Sequence, residues 1–139
     1  MIAAAFLTSA ISVDDKIEIG KVAPKIETIQ GTNVVYDANS EQKTKVISFW
    51  NPNKPASRIA NRNLSLKYGQ DSSENVEFIS ICTDSDERLM NEIIKLDGVK
   101  SDINYSYNQI SPNVFKTYGT DVNPRAFKIS PQGVITEII

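Results

Sequence analysis

The pattern of apolar and polar positions divides the chain into short strands, helical stripes and turns. Residues 45–50 (KVISFW) and 76–82 (VEFISIC) are nearly continuous apolar runs bounded by turn residues, which is typical of strands buried on both faces. Each run is followed by apolar residues at helical spacing, over 56–68 and over 89–96. A glycine after each stripe predicts the end of a helix. The order strand, helix, strand then predicts a βαβ unit in which the two strands lie parallel and adjacent.

The flanking segments predict further strands around this unit. Residues 17–29 alternate loosely, and a turn at 31–33 leads into 34–36, which we expect to pair back as a hairpin. After a short strand at 103–107, Ser111 and Pro112 predict the N-cap and first turn of a helix that ends at Gly119. Residues 126–129 and 134–139 predict a terminal hairpin. The resulting fold class is α/β, with a mixed central β-sheet flanked by helices on both faces and an N-terminal β-hairpin extension.

The first twelve residues (MIAAAFLTSAIS) are apolar and differ from the rest of the chain. The stretch is too short to span a bilayer as a helix and resembles the apolar part of a secretory signal. The basic residues expected ahead of such a stretch are missing, because the first basic residue is Lys16. We expect an apolar leader at 1–12 and one domain at 17–139, in the periplasm or cell envelope of a bacterium. Because these basic residues are missing, a cytoplasmic location is the alternative.

Composition removes several classes of chemistry. The 139 residues include one cysteine and no histidine, so neither a Ser-His-Asp arrangement, a Cys/His zinc site nor a dithiol can form within the chain. The formal charge of −2 argues against a nucleic-acid partner. Hydrophobic residues at 40% and charged residues at 23% indicate an ordinary globular domain. No metal and no cofactor is indicated.

Three acidic residues, Asp84, Asp86 and Glu87, begin like a calcium-binding loop. That interpretation requires a glycine at the sixth position and a glutamate at the twelfth, where the chain has Leu89 and Lys95. Capping of the following helix explains the acids more simply, because carboxylates at a helix N-terminus accept hydrogen bonds from free N–H groups.

Three stretches match motifs of a known family. Residues 20–26 (GKVAPKI) fit G-x-x-A-P-x-(F/I), and 49–58 (FWNPNKPASR) fit FW-x-x-W-C-x-x-C-R outside its cysteines and second tryptophan. Residues 118–135 fit most of Y-G-V-x-x-x-P-T-x-F-(L/V)-I-D-x-x-G-x-I. The chain therefore resembles the thioredoxin-like superfamily over residues 20–139, and within it the extracytoplasmic, AhpC/TSA-related thiol-disulfide oxidoreductases of the TlpA and ResA kind.

The resemblance implies a dithiol at the start of the helix, but Lys54 and Ser57 occupy the two cysteine positions. Thiol exchange requires a thiolate, which neither side chain provides. An amine nucleophile at Lys54 would need a carbonyl-binding pocket, and the sequence indicates none; we expect Lys54 to point to solvent. Further departures from the family pattern are Ala60, Arg62, Thr120, Arg125 and Ser130.

The family's proline after the Tyr-Gly pair is cis and faces the dithiol, which implies a cis bond at Pro124. Thioredoxin-like proteins bind substrate backbone beside this proline, so the resemblance implies a groove for an extended peptide or a small anion. The candidate groove residues are Trp50, Arg58, Asn123, Pro124 and Arg125.

The one thiol, Cys82, ends the strand at 76–82, at the same sheet edge as the altered motif. Its apolar neighbours favour a buried core residue. The alternative is a single-cysteine redox protein that uses Cys82 with a partner's resolving thiol. The sequence favours the first hypothesis: a non-catalytic thioredoxin-like module, binding a protein or peptide or serving as an accessory domain, with no membrane span.

Overall fold

A computed structural model describes residues 17–31, 33–39, 43–69, 75–100 and 103–139 of the chain. The predicted leader at 1–12 lies outside these residues. Within them, no helix is both long enough and apolar enough to cross a membrane.

The elements follow one another in the order predicted from the sequence. In chain order they are β1 (Ile26–Glu27), β2 (Val34–Tyr36), β3 (Thr44–Trp50), α1 (Pro55–Tyr68), β4 (Val76–Cys82), α2 (Glu87–Asp97), β5 (Ile103–Tyr105), a 3-10 turn (Tyr107–Gln109), α3 (Pro112–Thr117), β6 (Ala126–Ile129) and β7 (Ile135–Ile138).

One strand boundary and one helix cap differ from the predictions. β5 is shorter than the predicted 103–107, because the Ser106 N–H donates to Oε1 of Gln109 (2.8 Å) and turns the chain into the 3-10 helix. Ser111 stands at the N-cap of α3, but its hydroxyl donates to Oδ1 of Asn113 (2.9 Å) and caps no backbone N–H. The remaining short helix still begins at Pro112 as predicted.

The central sheet is mixed and has the strand order β5-β4-β3-β6-β7. β3 and β4 pair in parallel from Thr44↔Val76 to Trp50↔Cys82, so the predicted βαβ unit is confirmed. β6 and β7 form the predicted terminal hairpin, and β1 pairs with β2 as the predicted N-terminal hairpin.

One face of the sheet packs against α3 and the N-terminal hairpin. Phe49 lies at the centre of this face, with its ring centroid 6.1 Å from Phe115, 5.2 Å from Tyr118 and 6.1 Å from Phe127. The four aromatic residues are at most 3% exposed and belong to one continuous apolar cluster.

The opposite face is covered by α1 and α2. The buried face of α1 is not the predicted apolar stripe, because Ile59 and Leu66 are exposed while Asn61 and Ser65 are buried with Leu64. Ser65 is drawn inward by a hydrogen bond that its hydroxyl donates to the carbonyl oxygen of Lys100 (2.5 Å). This partner is 35 positions away in sequence, so no local pattern indicated it.

The segment after β2 approaches the terminal hairpin closely at Gly133. This glycine has φ +85°, and a Cβ atom there would lie 2.5 Å from Cβ of Ala38. We expect Gly133→Ala to destabilise the fold by roughly 2–4 kcal/mol, since strain at positive φ and overpacking both contribute. Gly31 provides the control, because its φ is +69° but nothing lies within 4 Å of an added Cβ. Urea unfolding should show a larger loss at Gly133; equal losses would contradict the steric explanation.

Candidate functional site

The loop between β3 and α1 is built by short-range hydrogen bonds. Oδ1 of Asn51 accepts from the N–H of Asn53 (2.8 Å), and the Asn51 carbonyl accepts from the N–H of Lys54 (3.1 Å). The turn ends where Lys54 becomes the N-cap of α1 and Pro55 fills its first position, in which a missing N–H costs nothing. The loop is tied to the end of β4, because Oδ2 of Asp84 accepts from Nδ2 of Asn53 (2.7 Å).

The two positions that would carry a dithiol have ordinary structural surroundings. Lys54 is exposed, and its side chain makes no capping hydrogen bond. Ser57, one turn into α1, is half-buried, and its Oγ accepts from the N–H of Asn51 (2.8 Å). Ser57 therefore holds the loop against the helix, while Lys54 extends from the helix start without a described partner group.

A cleft of about 190 Å³ opens beside Ser57. Its walls come from the end of β3, the first turns of α1, and the segment that leads into β6. The lining residues are Ser48, Phe49, Ala56, Ser57, Ala60, Leu64, Pro124, Arg125, Ala126 and Ile139.

The proline in this cleft is not cis. The described residues contain no cis peptide bond, so the Asn123–Pro124 bond is trans and the implied cis proline was wrong. Trans is the favoured isomer of an X–Pro bond by roughly 0.5–1 kcal/mol, and a cis bond persists only where its surroundings impose it.

Arg125 is the cation at the mouth of the cleft. Its carbonyl accepts from the N–H of Phe49 (3.0 Å), which fixes the backbone beside β3. Its guanidinium carbon lies 5.9 Å from the ring centroid of Phe127, while the residue as a whole remains exposed. No ion pair among the described residues involves Arg125. Its exposed guanidinium is therefore available to a ligand beside the cleft.

The other predicted groove residues lie elsewhere. Trp50 is 1% exposed and packs in the core, so it does not line a groove. Arg58 forms a two-pronged ion pair with Asp97 of α2, with Nε–Oδ2 and Nη2–Oδ1 both at 2.7 Å. These hydrogen bonds lower the pKa of Asp97 below its usual range. Asn123 is exposed next to Pro124 but does not line the cleft.

Cys82 is a core residue, as its apolar neighbours predicted. It is 0% exposed and packs with Trp50, Met90 and Ile93. Burial raises the pKa of the Cys82 thiol to about 11. Only roughly one thiol in a thousand would then be ionised at pH 8, and the thiolate is the reactive form.

We expect a thiol reagent such as 5,5′-dithiobis(2-nitrobenzoate) to modify Cys82 slowly in the native chain at pH 8. Modification should become fast in guanidinium chloride, because unfolding removes the burial that raises the pKa. A Cys82→Ala/Lys54→Cys variant is the control, since it moves the one thiol to an exposed position. Native Cys82 reacting as quickly as this control would contradict the core interpretation.

Of the three acidic residues after β4, Asp86 has the predicted capping role, whereas Asp84 and Glu87 bond other groups. Oδ1 of Asp86 accepts from the N–H of Leu89 (3.1 Å) at the start of α2, and Oδ1 of Asp84 accepts from the N–H of Asp86 (2.8 Å). Oε2 of Glu87 accepts from the Ser106 hydroxyl (3.0 Å). Within the described part of the chain, no group of three or more His, Cys, Asp or Glu side chains could hold a metal ion.

Solved thioredoxin-like structures are similar to this chain. A thioredoxin-like protein from Parabacteroides distasonis has a TM-score of 0.71 at 20% identity, with 88% of each chain covered. The thioredoxin domain of a thiol-disulfide oxidoreductase from Bacteroides vulgatus has a TM-score of 0.68 at 19% identity, covering 88% of this chain and 89% of that one. A secreted disulfide oxidoreductase from Mycobacterium tuberculosis has a TM-score of 0.60 at 18% identity, covering 84% and 82%.

No protein-family model matches the sequence, and no curated protein matches it. At identities of 18–20%, the structural similarity establishes the fold, which is thioredoxin-like as the motifs implied.

Proposed function

We propose that the chain is a redox-inactive thioredoxin-like module that binds an extended peptide or protein segment at the cleft beside Pro124. The observation that carries the proposal is the structure at the two dithiol positions. Lys54 is an exposed N-cap, and Oγ of Ser57 accepts a hydrogen bond from the N–H of Asn51. The one thiol of the chain, Cys82, is buried. The chain thus has the loop, the helix start and the proline, with neither cysteine of the dithiol motif.

The form of the cleft favours a peptide side chain over a larger ligand. Its volume of about 190 Å³ is below the roughly 300–1,000 Å³ of typical small-molecule sites. Apart from Ser57, its wall on α1 is apolar (Ala56, Ala60 and Leu64), and Arg125 adds a cation at the mouth. A guanidinium forms strong, two-pronged hydrogen bonds with a carboxylate. We therefore propose that the bound segment places an apolar side chain in the cleft and an acidic group at Arg125.

Location in the cell envelope is part of the proposal. It is supported by the structural similarity to a secreted disulfide oxidoreductase and by the apolar stretch at residues 1–12. Fractionation of cells that express the full chain tests it, and recovery only with the cytoplasmic fraction would contradict it.

Peptide binding is tested with a random peptide library displayed on phage, followed by fluorescence anisotropy of the selected peptides. We expect selected peptides to be enriched in acidic residues and to bind Arg125→Glu about tenfold more weakly, a loss of about 1.4 kcal/mol. Arg88→Glu is the matched control, because Arg88 is exposed on α2 and does not line the cleft. The proposal fails if no peptide is enriched, or if both variants weaken binding equally.

A further inference from the structure

The face of the sheet beneath α1 and α2 contains a polar layer. Parallel pairing puts four residue pairs of β3 and β4 on this face, and one of the two inner pairs is Ser48 and Ser80, at 3% and 1% exposure. The pairs on either side belong to two separate apolar clusters, so the serines divide the core here. The flanking pairs are Val46↔Phe78 and Trp50↔Cys82.

Asn61 adds a polar side chain from α1 to this side of the fold. It lies on the buried face of α1 and is 1% exposed. Neither its Oδ1 nor its Nδ2 has a hydrogen-bond partner among the described residues, and the same holds for Oγ of Ser80. The layer adjoins the cleft, because Ser48 lines it and Ser57, one turn before Asn61, lines it too.

Three buried polar atoms without partners are costly, since each has lost its hydrogen bonds to solvent. A carboxamide provides two donors and an acceptor, and a hydroxyl provides one donor and an acceptor. A buried water molecule satisfies groups of this kind with two to four hydrogen bonds. We propose that the layer between α1 and the sheet is a binding site for ordered water, held by the side chains of Asn61 and Ser80.

This site does not depend on peptide binding at the cleft. Its water connects α1 to β4 directly behind the cleft wall, so it contributes to the position of the helix that carries Ser57. It also accounts for a polar residue at the centre of a buried helix face, where the pattern of α1 predicted apolar packing.

The test is water-selective NMR on the full chain with nitrogen-15 labelling. We expect the side-chain amide of Asn61 to show a nuclear Overhauser cross-peak with a long-lived water, and the exposed amide of Asn63 on the same helix to show none. In Ser80→Ala the water loses a partner, so the Asn61 cross-peak should weaken severalfold. Ser85→Ala is the matched control, because Ser85 is exposed.

Absence of the cross-peak in the native chain would overturn the proposal, and so would equal intensity in the two serine variants. A crystal structure provides the second measurement: density for water within about 3.2 Å of both side chains is expected. A direct Asn61–Ser80 hydrogen bond with no water would overturn it. Asn61→Leu should lose the water. If Asn61→Leu does not fold, the Ser80→Ala result still decides whether the water is bound.

Discussion

Replacing Lys54 and Ser57 together by cysteine is expected to create a thiol-disulfide reductase activity above that of the native chain. Both positions lie in the first turn of α1, three residues apart, with Lys54 at the N-cap. A helix N-terminus stabilises a thiolate through its dipole and free N–H groups, which lowers the pKa of a cysteine placed there. The chain also has the thioredoxin-like fold, and Pro124 borders Ser57 in the cleft.

Reduction of insulin with dithiothreitol, followed by turbidity, measures this activity. We expect the double variant to accelerate precipitation at least tenfold, whereas the native chain and the two single variants stay near the uncatalysed rate. Thiol counts on the oxidised and reduced double variant show whether the disulfide forms. If it forms and no acceleration follows, features other than these two positions prevent thiol-disulfide exchange in this chain.

Much of the fold could be predicted because its strongest signals are local. The apolar run at 76–82 coincides with β4, and Gly98, with φ +62°, ends α2 where the stripe stops. The buried face of α1 could not be predicted in the same way. Its residues Asn61 and Ser65 are polar, and Ser65 is buried through a contact with the backbone of Lys100, far along the chain.

The candidate site likewise contains residues that could be located from the sequence and residues whose partners could not. Pro124, Arg125 and Ser57 could be located from motif spacing, and the structure brings them together around one cleft. The partner of Arg58 is Asp97, 39 positions away, and nothing near Arg58 in the sequence indicates it. The motif gives the position of Trp50 in β3. It does not indicate that the Trp50 side chain faces α2. Motif spacing gives chain position, whereas side-chain roles depend on long-range packing.

Phe49→Ala is expected to be the most destabilising single change considered. Phe49 is 1% exposed and contacts three aromatic rings, so truncation removes buried apolar area and leaves a cavity. Phe→Ala changes in cores cost roughly 3–5 kcal/mol, against a typical total stability of about 5–15 kcal/mol. Urea unfolding measures the loss, and Leu96→Ala is the control, because Leu96 is 74% exposed and should change stability by less than about 0.5 kcal/mol.

The same residue connects the core to the cleft. The N–H of Phe49 donates to the carbonyl of Arg125, and Phe49 is a lining residue of the cleft while its ring belongs to the aromatic cluster. If Phe49→Ala does not fold, Phe49→Leu preserves most of the apolar volume and should lose less stability. Peptide binding by Phe49→Leu should then be weakened less than by Arg125→Glu, because the backbone hydrogen bond that positions Arg125 does not depend on the side chain at 49. A loss below about 1 kcal/mol for Phe49→Ala would contradict a tightly packed aromatic core behind the cleft.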